Sequence, residues 1–157
     1  MHGGRISQSI SVMKILIATD GSDFSRMAAE KACEIAAAIP SEIKIVSAYV
    51  TPAAIAAEPF VATPELYQDV VDGLKEVAEK AADSAEAIVR DRCPKASVSR
   101  VVEMGRPAEV ILDAAKAWPA DVIVVGSHGL GFWGRTLLGS VSNAIVHHAH
   151  CPVLVVR

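Results

Sequence analysis

The densest group of residues suited to chemistry is a glycine-rich segment that runs from Gly126 to Gly139 and leads into a pair of serines. It holds half of the ten glycines of the chain. Glycine lets main-chain amides approach an anion closely, and a helix starting after the segment adds unpaired N–H donors and a partial positive charge. The hydroxyls of Ser140 and Ser142 are further donors. The pattern indicates a polyphosphate site, although an ordinary surface loop with Ser140 as helix N-cap fits the segment equally well.

Three better-known functional motifs are excluded, either because a further residue that they require is missing or because the motif itself is absent. Residues 129–134 fit G-x-G-x-x-G, but a dinucleotide site needs an acidic residue about 20 positions later, and none follows Asp121. No Gly-x-Ser-x-Gly elbow surrounds Ser142, which argues against a serine hydrolase even though Asp20 and His128 offer suitable partner types. The chain also lacks G-x-x-x-x-G-K-[ST] and therefore a P-loop lysine.

Two other sets of polar residues have both a structural and a functional interpretation. Asp20 follows the first apolar run, where an aspartate commonly caps a helix. Its pairing with the glycine segment at one edge of a sheet favours a ligand role instead. His147, His148 and His150 are spaced as metal ligands sometimes are, but histidines at a helix C-terminus interact favourably with the dipole and point to different faces. We therefore expect no metal held by protein side chains.

Length and composition narrow the class of protein. The 157 residues predict one domain over residues 13–157, preceded by a loose N-terminal extension over residues 1–12. Fifteen Lys and Arg against 18 Asp and Glu give a net charge of −3, which argues against nucleic acid or anionic lipid as partners. Apolar residues make up 52% of the chain, but their runs are too short to span a membrane. Three scattered cysteines predict a reduced, cytoplasmic protein.

Apolar runs alternate with segments of helical periodicity along the chain. Proline residues and turn clusters separate these elements, and a loop rich in Ala and Pro occupies residues 51–62. Strands are predicted at Lys14 to Ala18, about Glu42 to Val50, Val98 to Glu103, Val122 to Val125 and Pro152 to Val156, with helices between them. The alternation predicts an α/β fold: a doubly wound five-stranded parallel sheet with helices on both faces, an open α/β sandwich. Ligands of such sheets bind where the strand order reverses, here after strands one and four if these are neighbours.

The glycine spacing and three further segments resemble those of a known protein family. The spacing Gly126-x2-Gly129-x9-Gly139-Ser140 resembles the nucleotide-binding signature of the universal stress protein family, in its ATP-binding branch. The opening Ile15 to Ser22, the segment Met104 to Ala108 and the terminal Cys151 to Val156 agree with the same family. The similarity extends from about Val12 to Arg157. It implies the adenine nucleotide alpha hydrolase-like fold.

The resemblance also implies roles for individual residues. Asp20 would meet the adenine or ribose with Ala18 and Thr19, and Ala48 would line the base pocket. The ribose and first phosphate would be held by Gly126, Ser127 and Gly129, and the outer phosphates by Gly139, Ser140, Val141 and Ser142. Mg²⁺ or Mn²⁺ would accompany ATP through phosphate oxygens and water. The residues themselves add two candidates for phosphate pairing, His128 and Arg135, of which the second is always charged and can bind bidentately, although a solvent-facing position fits both equally well.

Two functions fit these expectations. The first is an ATP-binding regulator of the stress response that acts as a nucleotide-dependent dimeric switch. The family's usual dimer joins the last strands, here Val153 to Val156, a fully apolar run that is otherwise an exposed edge. The second is a slow ATPase or a nucleotidyl-transferring enzyme on the same fold, although no catalytic residue is assigned. A dimeric scaffold without nucleotide affinity is disfavoured by the intact glycine signature.

Overall fold

A computed structural model of the chain describes residues 11–51, 63–130 and 138–157. Within these ranges the elements are β1 (Met13–Ala18), α1 (Asp23–Ala38), β2 (Ser41–Tyr49), α2 (Pro64–Arg92), β3 (Ser97–Met104), α3 (Pro107–Ala117), β4 (Val122–Gly126), α4 (Ser140–His148) and β5 (Val153–Val156). The strands agree with the predicted bounds to within one residue. The first ten residues and most of the Ala- and Pro-rich loop, over which an extension and a connection are predicted, lie outside the described residues.

The strands form a single parallel sheet in the order β3-β2-β1-β4-β5. The chain moves outward from β1 to β2 and β3, then returns to the other side of β1 for β4 and β5. The strand order therefore reverses between β1 and β4, where Ile15 pairs with Val122 and Ile17 with Val124. This arrangement confirms the predicted doubly wound sheet and the predicted neighbours, strands one and four.

Helices cover both faces of the sheet and form a core on each. Successive side chains of β1 point to opposite faces and so belong alternately to the two cores. Ile15 and Ile17 face α1 and α2 in one core, which is rich in alanine. Leu16 and Ala18 belong to the other core, with residues of α3 and α4. These β1 residues are all at most 4% exposed, so the middle of the sheet is fully covered.

The helices differ in how they begin. Ser22 is the N-cap of α1, and its hydroxyl accepts a hydrogen bond from the Ser25 amide; Thr63 caps α2 in the same way. Asp20 is therefore not the cap of α1. The N-cap of α4 is Gly139, so the alternative in which Ser140 serves as that cap is wrong.

The sheet has two edge strands of different character. β3, with five exposed positions among eight, is the half-exposed edge that the sequence predicts. β5 lies at the opposite edge, beside β4, and three of its four residues are half-buried. In the part of the chain described, no helix combines the length and apolarity that crossing a membrane requires.

Candidate functional site

A cavity of about 710 Å³ opens at the carboxyl ends of β1 and β4, where the strand order reverses. Its size is within the range of small-molecule sites. Eleven predicted site residues line it: Ala18, Thr19, Asp20, Ala48, Gly126, His128, Gly129, Gly139, Ser140, Val141 and Ser142. The fold thus brings together residues that are 124 positions apart in sequence, from Ala18 to Ser142.

One end of the cavity is apolar. Ala18 and Val125 form its floor at the ends of the two middle strands, with Ala48 beside them on β2. The side is closed by Pro107 and Ile111 from the first turns of α3. Such a wall, with small side chains below and a branched one beside, suits a flat apolar group rather than an ion.

The other end is built largely from main chain at the start of α4. No side chain caps this helix among the described residues, and its first turn carries no acidic group. The opening amides of a helix have no partner within it, and they carry the positive end of the dipole. Ser140, Val141 and Ser142, which form that opening turn, line the cavity. This end is therefore suited to an anion.

Asp20 ties the two loops of the cavity together. Its Oδ1 accepts a hydrogen bond from the Ser22 amide at 3.0 Å, and its Oδ2 accepts one from the Leu130 amide at 3.0 Å. The carboxylate therefore joins the turn after β1 to the segment after β4. A side chain at Gly129 would disturb this link, because its Cβ would lie 2.5 Å from Oδ2 of Asp20.

Ser127 anchors the segment after β4 and does not line the cavity. It is 1% exposed, and its amide donates to the carbonyl of Val156 at 2.7 Å. Its own carbonyl accepts from the Gly139 amide at 2.7 Å and from the Ser142 hydroxyl at 2.8 Å. The Ser142 hydroxyl thus already donates to main chain, and what it offers the cavity is its position on the first turn of α4.

His128 lies on the wall between the two ends. Its Nδ1 is 3.1 Å from the hydroxyl of Ser127, and its ring lies 5.5 Å from that of Phe24 at a tilt of 54°. These contacts hold the imidazole over the first turn of α1. The other predicted cation, Arg135, lies outside the described residues.

The signature glycines are closely packed against protein atoms. A Cβ at Gly126 would lie 2.7 Å from the main-chain carbon of Phe24, and one at Gly139 would lie 3.2 Å from the carbonyl oxygen of Ser127. A side chain is excluded at Gly126 by the fold itself, because main chain cannot move aside as a flexible side chain can, and one at Gly139 would be tightly packed. Glycine here lets α1 pack against β4 and lets α4 start beside the loop.

Some lining residues are absent from the predicted set: Ser25, Pro107, Ile111, Val125, Leu130 and Leu138. Two of them had a signal in the sequence. Pro107 follows the turn after β3, and Ile111 lies on the apolar face of the next helix, but periodicity alone does not distinguish cavity wall from core. Ser25 is 4% exposed, and its hydroxyl lies 3.2 Å from that of Thr19, another lining residue.

The C-terminal histidines lie apart from this cavity. His147 and His148 occupy the last turn of α4, with ring centroids 6.5 Å apart. Over residues 11–51, 63–130 and 138–157, no group of three or more His, Cys, Asp or Glu side chains is arranged to hold a metal ion.

Residues 12–157 match the sequence profile of the universal stress protein family. A universal stress protein of Thermus aquaticus is 39% identical over 143 residues, covering 91% of this chain and 97% of the relative. The universal stress protein UspA of Lactobacillus plantarum has a similar structure, with a TM-score of 0.76, 26% identity and coverage of 92% and 97%. A universal stress protein in complex with cAMP has a TM-score of 0.62, 26% identity and coverage of 94% and 98%. The chain belongs to the universal stress protein family.

Proposed function

We propose that residues 13–157 form one domain that binds an adenine nucleotide in this cavity, with ATP as the ligand, and regulates the stress response from the cytoplasm. The observation that carries the proposal is the uncapped first turn of α4, which lines one end of a cavity whose other end is apolar. A base and a chain of phosphates have the same two characters, joined by a ribose. The ligand therefore has one favoured orientation, with its phosphates at α4.

The cavity walls fit the parts of such a ligand. Ala18 and Ala48 offer a flat floor for the base, and Ile111 closes over its side. The amides of Ser140 and Val141 face the phosphate end and donate where negative charge is held. Asp20 already accepts two amides, so Mg²⁺ or Mn²⁺ would be held mainly by phosphate oxygens and water. The related protein that binds cAMP supports an adenine nucleotide as the class of ligand.

A route from the cavity to the edge of the sheet supports a regulatory role. Gly126 pairs with Val156, and the next amide, that of Ser127, donates to the Val156 carbonyl. The segment that lines the cavity is thus hydrogen-bonded to β5, the strand through which we propose that two copies associate. Nucleotide bound against this segment would favour one arrangement of β5, so the association of two copies would depend on whether the cavity is occupied.

Binding is favoured over catalysis by the state of Asp20. A general base needs an oxygen that can turn toward a water or hydroxyl, whereas each oxygen of Asp20 is fixed by a main-chain amide and keeps one lone pair for another partner. His128 lines the same cavity and keeps slow ATP hydrolysis or nucleotidyl transfer as the second candidate. Multiple turnover that is lost in His128→Gln, with ATP affinity retained, would favour that candidate.

The experiment is thermal unfolding of the purified chain with ATP, ADP, AMP, cAMP or adenosine, with and without Mg²⁺, and with GTP as the matched control. A ligand at 100 times its Kd stabilises by about 2.7 kcal/mol, which raises Tm by about 5 to 11 °C for a domain of this size. We expect this shift for ATP and not for GTP. Acid-quenched protein analysed by chromatography identifies any nucleotide retained from the cell. Failure of every adenine compound to raise Tm would contradict the proposal.

A further inference from the structure

Two cysteines lie together in the core on the side of the sheet away from the apolar wall of the cavity. Cys33 is on α1 and Cys93 directly follows α2, and they are 4% and 7% exposed. Both belong to the same apolar cluster, and both are reduced. Cys33 is eight positions beyond Ser25, the α1 residue that lines the cavity, which is about 12 Å along a helix. The pair is thus separate from the proposed nucleotide site.

The contacts of the two helices place these thiols in the same part of the core. Glu30, one turn before Cys33, forms an ion pair at 3.0 Å with Arg92, the residue before Cys93. Between the helices the packing residues are small, chiefly alanines, which lets the helices approach closely. The neighbouring Cys93 thiol acts directly on that of Cys33 and helps to raise its pKa. Two buried thiols that interact in one core, on elements joined by an ion pair beside them, are candidates for a bridge.

We propose that Cys33 and Cys93 are a modification site, a thiol pair that small disulfides oxidise to an intramolecular disulfide joining α1 to the end of α2. The thiolate of Cys93, the more exposed of the two, attacks the reagent disulfide, forms a mixed disulfide and releases one thiol. The thiolate of Cys33 then attacks the sulfur of Cys93 and releases the second thiol. Two protons leave the protein, and the two electrons reduce one reagent disulfide to two thiols.

The surroundings make this a slow and durable reaction. Burial, together with the neighbouring Cys93, raises the pKa of the Cys33 thiol to about 12. Very little Cys33 thiolate is present near neutral pH, so the closing step is slow and brief exposure to an oxidant leaves the pair unbridged. The same burial shields the finished bridge from external thiols. The bridge therefore forms on sustained rather than brief exposure to small disulfides.

The bridge would stabilise the fold, because it closes a loop of about 60 residues between the cysteines in the unfolded chain. We expect Tm to rise by about 5 °C or more. The test incubates the folded full-length chain for hours with 2-hydroxyethyl disulfide, a small neutral reagent, and blocks remaining thiols by alkylation. Trypsin cleavage under non-reducing conditions should yield residues 32–44 linked to residues 93–95.

The controls use the third cysteine and each member of the pair. Cys151, which lies in the other core, is changed in Cys151→Ala to remove bridges between chains. That variant should form the linked peptide and lose about 2 Da, the mass of two hydrogens. Cys33→Ala and Cys93→Ala should not show the rise in Tm. Persistent mixed disulfides at Cys33 or Cys93, absence of the linked peptide, or a linked chain whose Tm fails to rise would each overturn the proposal.

Discussion

Two of the helices that begin at the cavity, α1 and α4, have first turns that are satisfied in opposite ways. At α1, the hydroxyl of Ser22 accepts the Ser25 amide, and Asp23 places a carboxylate in the first turn. At α4, the N-cap is Gly139, and the first turn has neither a side-chain cap nor an acidic residue. The partial positive charge at the start of α1 is thus compensated by protein groups, whereas that at the start of α4 is available to a ligand.

This difference teaches where the phosphates of a nucleotide should lie. A helix dipole already compensated by its own carboxylate has little to offer a second anion, while an uncompensated one is worth about 0.3 to 2 kcal/mol to an anion at its end. The proposed orientation follows, with phosphates at α4 and the base at the apolar wall.

The largest effect is expected from a negative charge at the start of α4. Ser140 is exposed, so Ser140→Asp fits there, and a carboxylate in the first turn strengthens the helix. The same charge repels phosphate. We expect affinity for ATP to fall about 100-fold, or about 2.7 kcal/mol, while affinity for adenosine is unchanged. Isothermal titration calorimetry measures both.

The matched control is Asn143→Asp. Asn143 is exposed on the same helix but lies outside the cavity lining, so the net charge changes equally while the local repulsion is weaker. ATP affinity should fall by less than about fivefold. Equal losses in the two variants would mean that general charge, and not the α4 terminus, governs binding.

The second prediction concerns the link that Asp20 makes between the turn after β1 and the segment after β4. Asp20→Ala removes two carboxylate-to-amide hydrogen bonds, those to Ser22 and Leu130. We expect the free energy of unfolding to fall by about 2 kcal/mol, since hydrogen bonds to a charged group are worth about 1.5 to 3 kcal/mol and solvent replaces part of the loss. Urea unfolding provides the value. Asp23→Ala, whose carboxylate is exposed, should change it by less than about 1 kcal/mol; a similar loss in both variants would rule out the linking role.

Much of this arrangement is predictable from sequence, because the apolar runs and turn residues act locally. Thr63 and Pro64 predict the start of α2, and the polar residues after strands one and four predict the edge at which a site forms. What the sequence does not reveal is which helix is capped. At α1 it depends on whether the hydroxyl of Ser22 or the carboxylate of Asp20 accepts the Ser25 amide. Ser22 does so, while Asp20 accepts the amides of Ser22 and of the distant Leu130.

The glycines illustrate the same limit. Their spacing predicts amides exposed to an anion, yet the neighbours that exclude a side chain at Gly126 and Gly129 are Phe24 and Asp20, residues about 100 positions away in sequence. Changing Gly129 to a larger residue would disturb Asp20 whether or not a ligand is present. Loss of binding in such a variant reports on the fold, so the Ser140 and Ala48 substitutions are the sharper tests.

The third prediction concerns the wall opposite α4. Ala48→Leu projects a larger apolar group from β2 into the space proposed for the base. We expect affinity for adenosine and for ATP to fall together, about tenfold or about 1.4 kcal/mol, because the phosphates are not involved. Val50→Leu, at an exposed position just beyond β2, is the control and should bind both compounds normally. A loss confined to ATP would reverse the proposed orientation.

The smallest effect is expected at the capped helix. Ser22→Ala removes the hydroxyl that accepts the Ser25 amide, and Thr63→Ala removes the corresponding cap of α2, far along the chain from the glycine segment. Each should lower the free energy of unfolding by about 1 kcal/mol, the usual value of an N-cap, measured by urea unfolding. If the first turn of α1 is indeed satisfied by the protein, neither change shifts ATP affinity by more than about threefold, since Asp23 still compensates the dipole. A loss of ATP affinity in Ser22→Ala that approaches the loss in Ser140→Asp, with Thr63→Ala unaffected, would show that both helix starts hold the ligand.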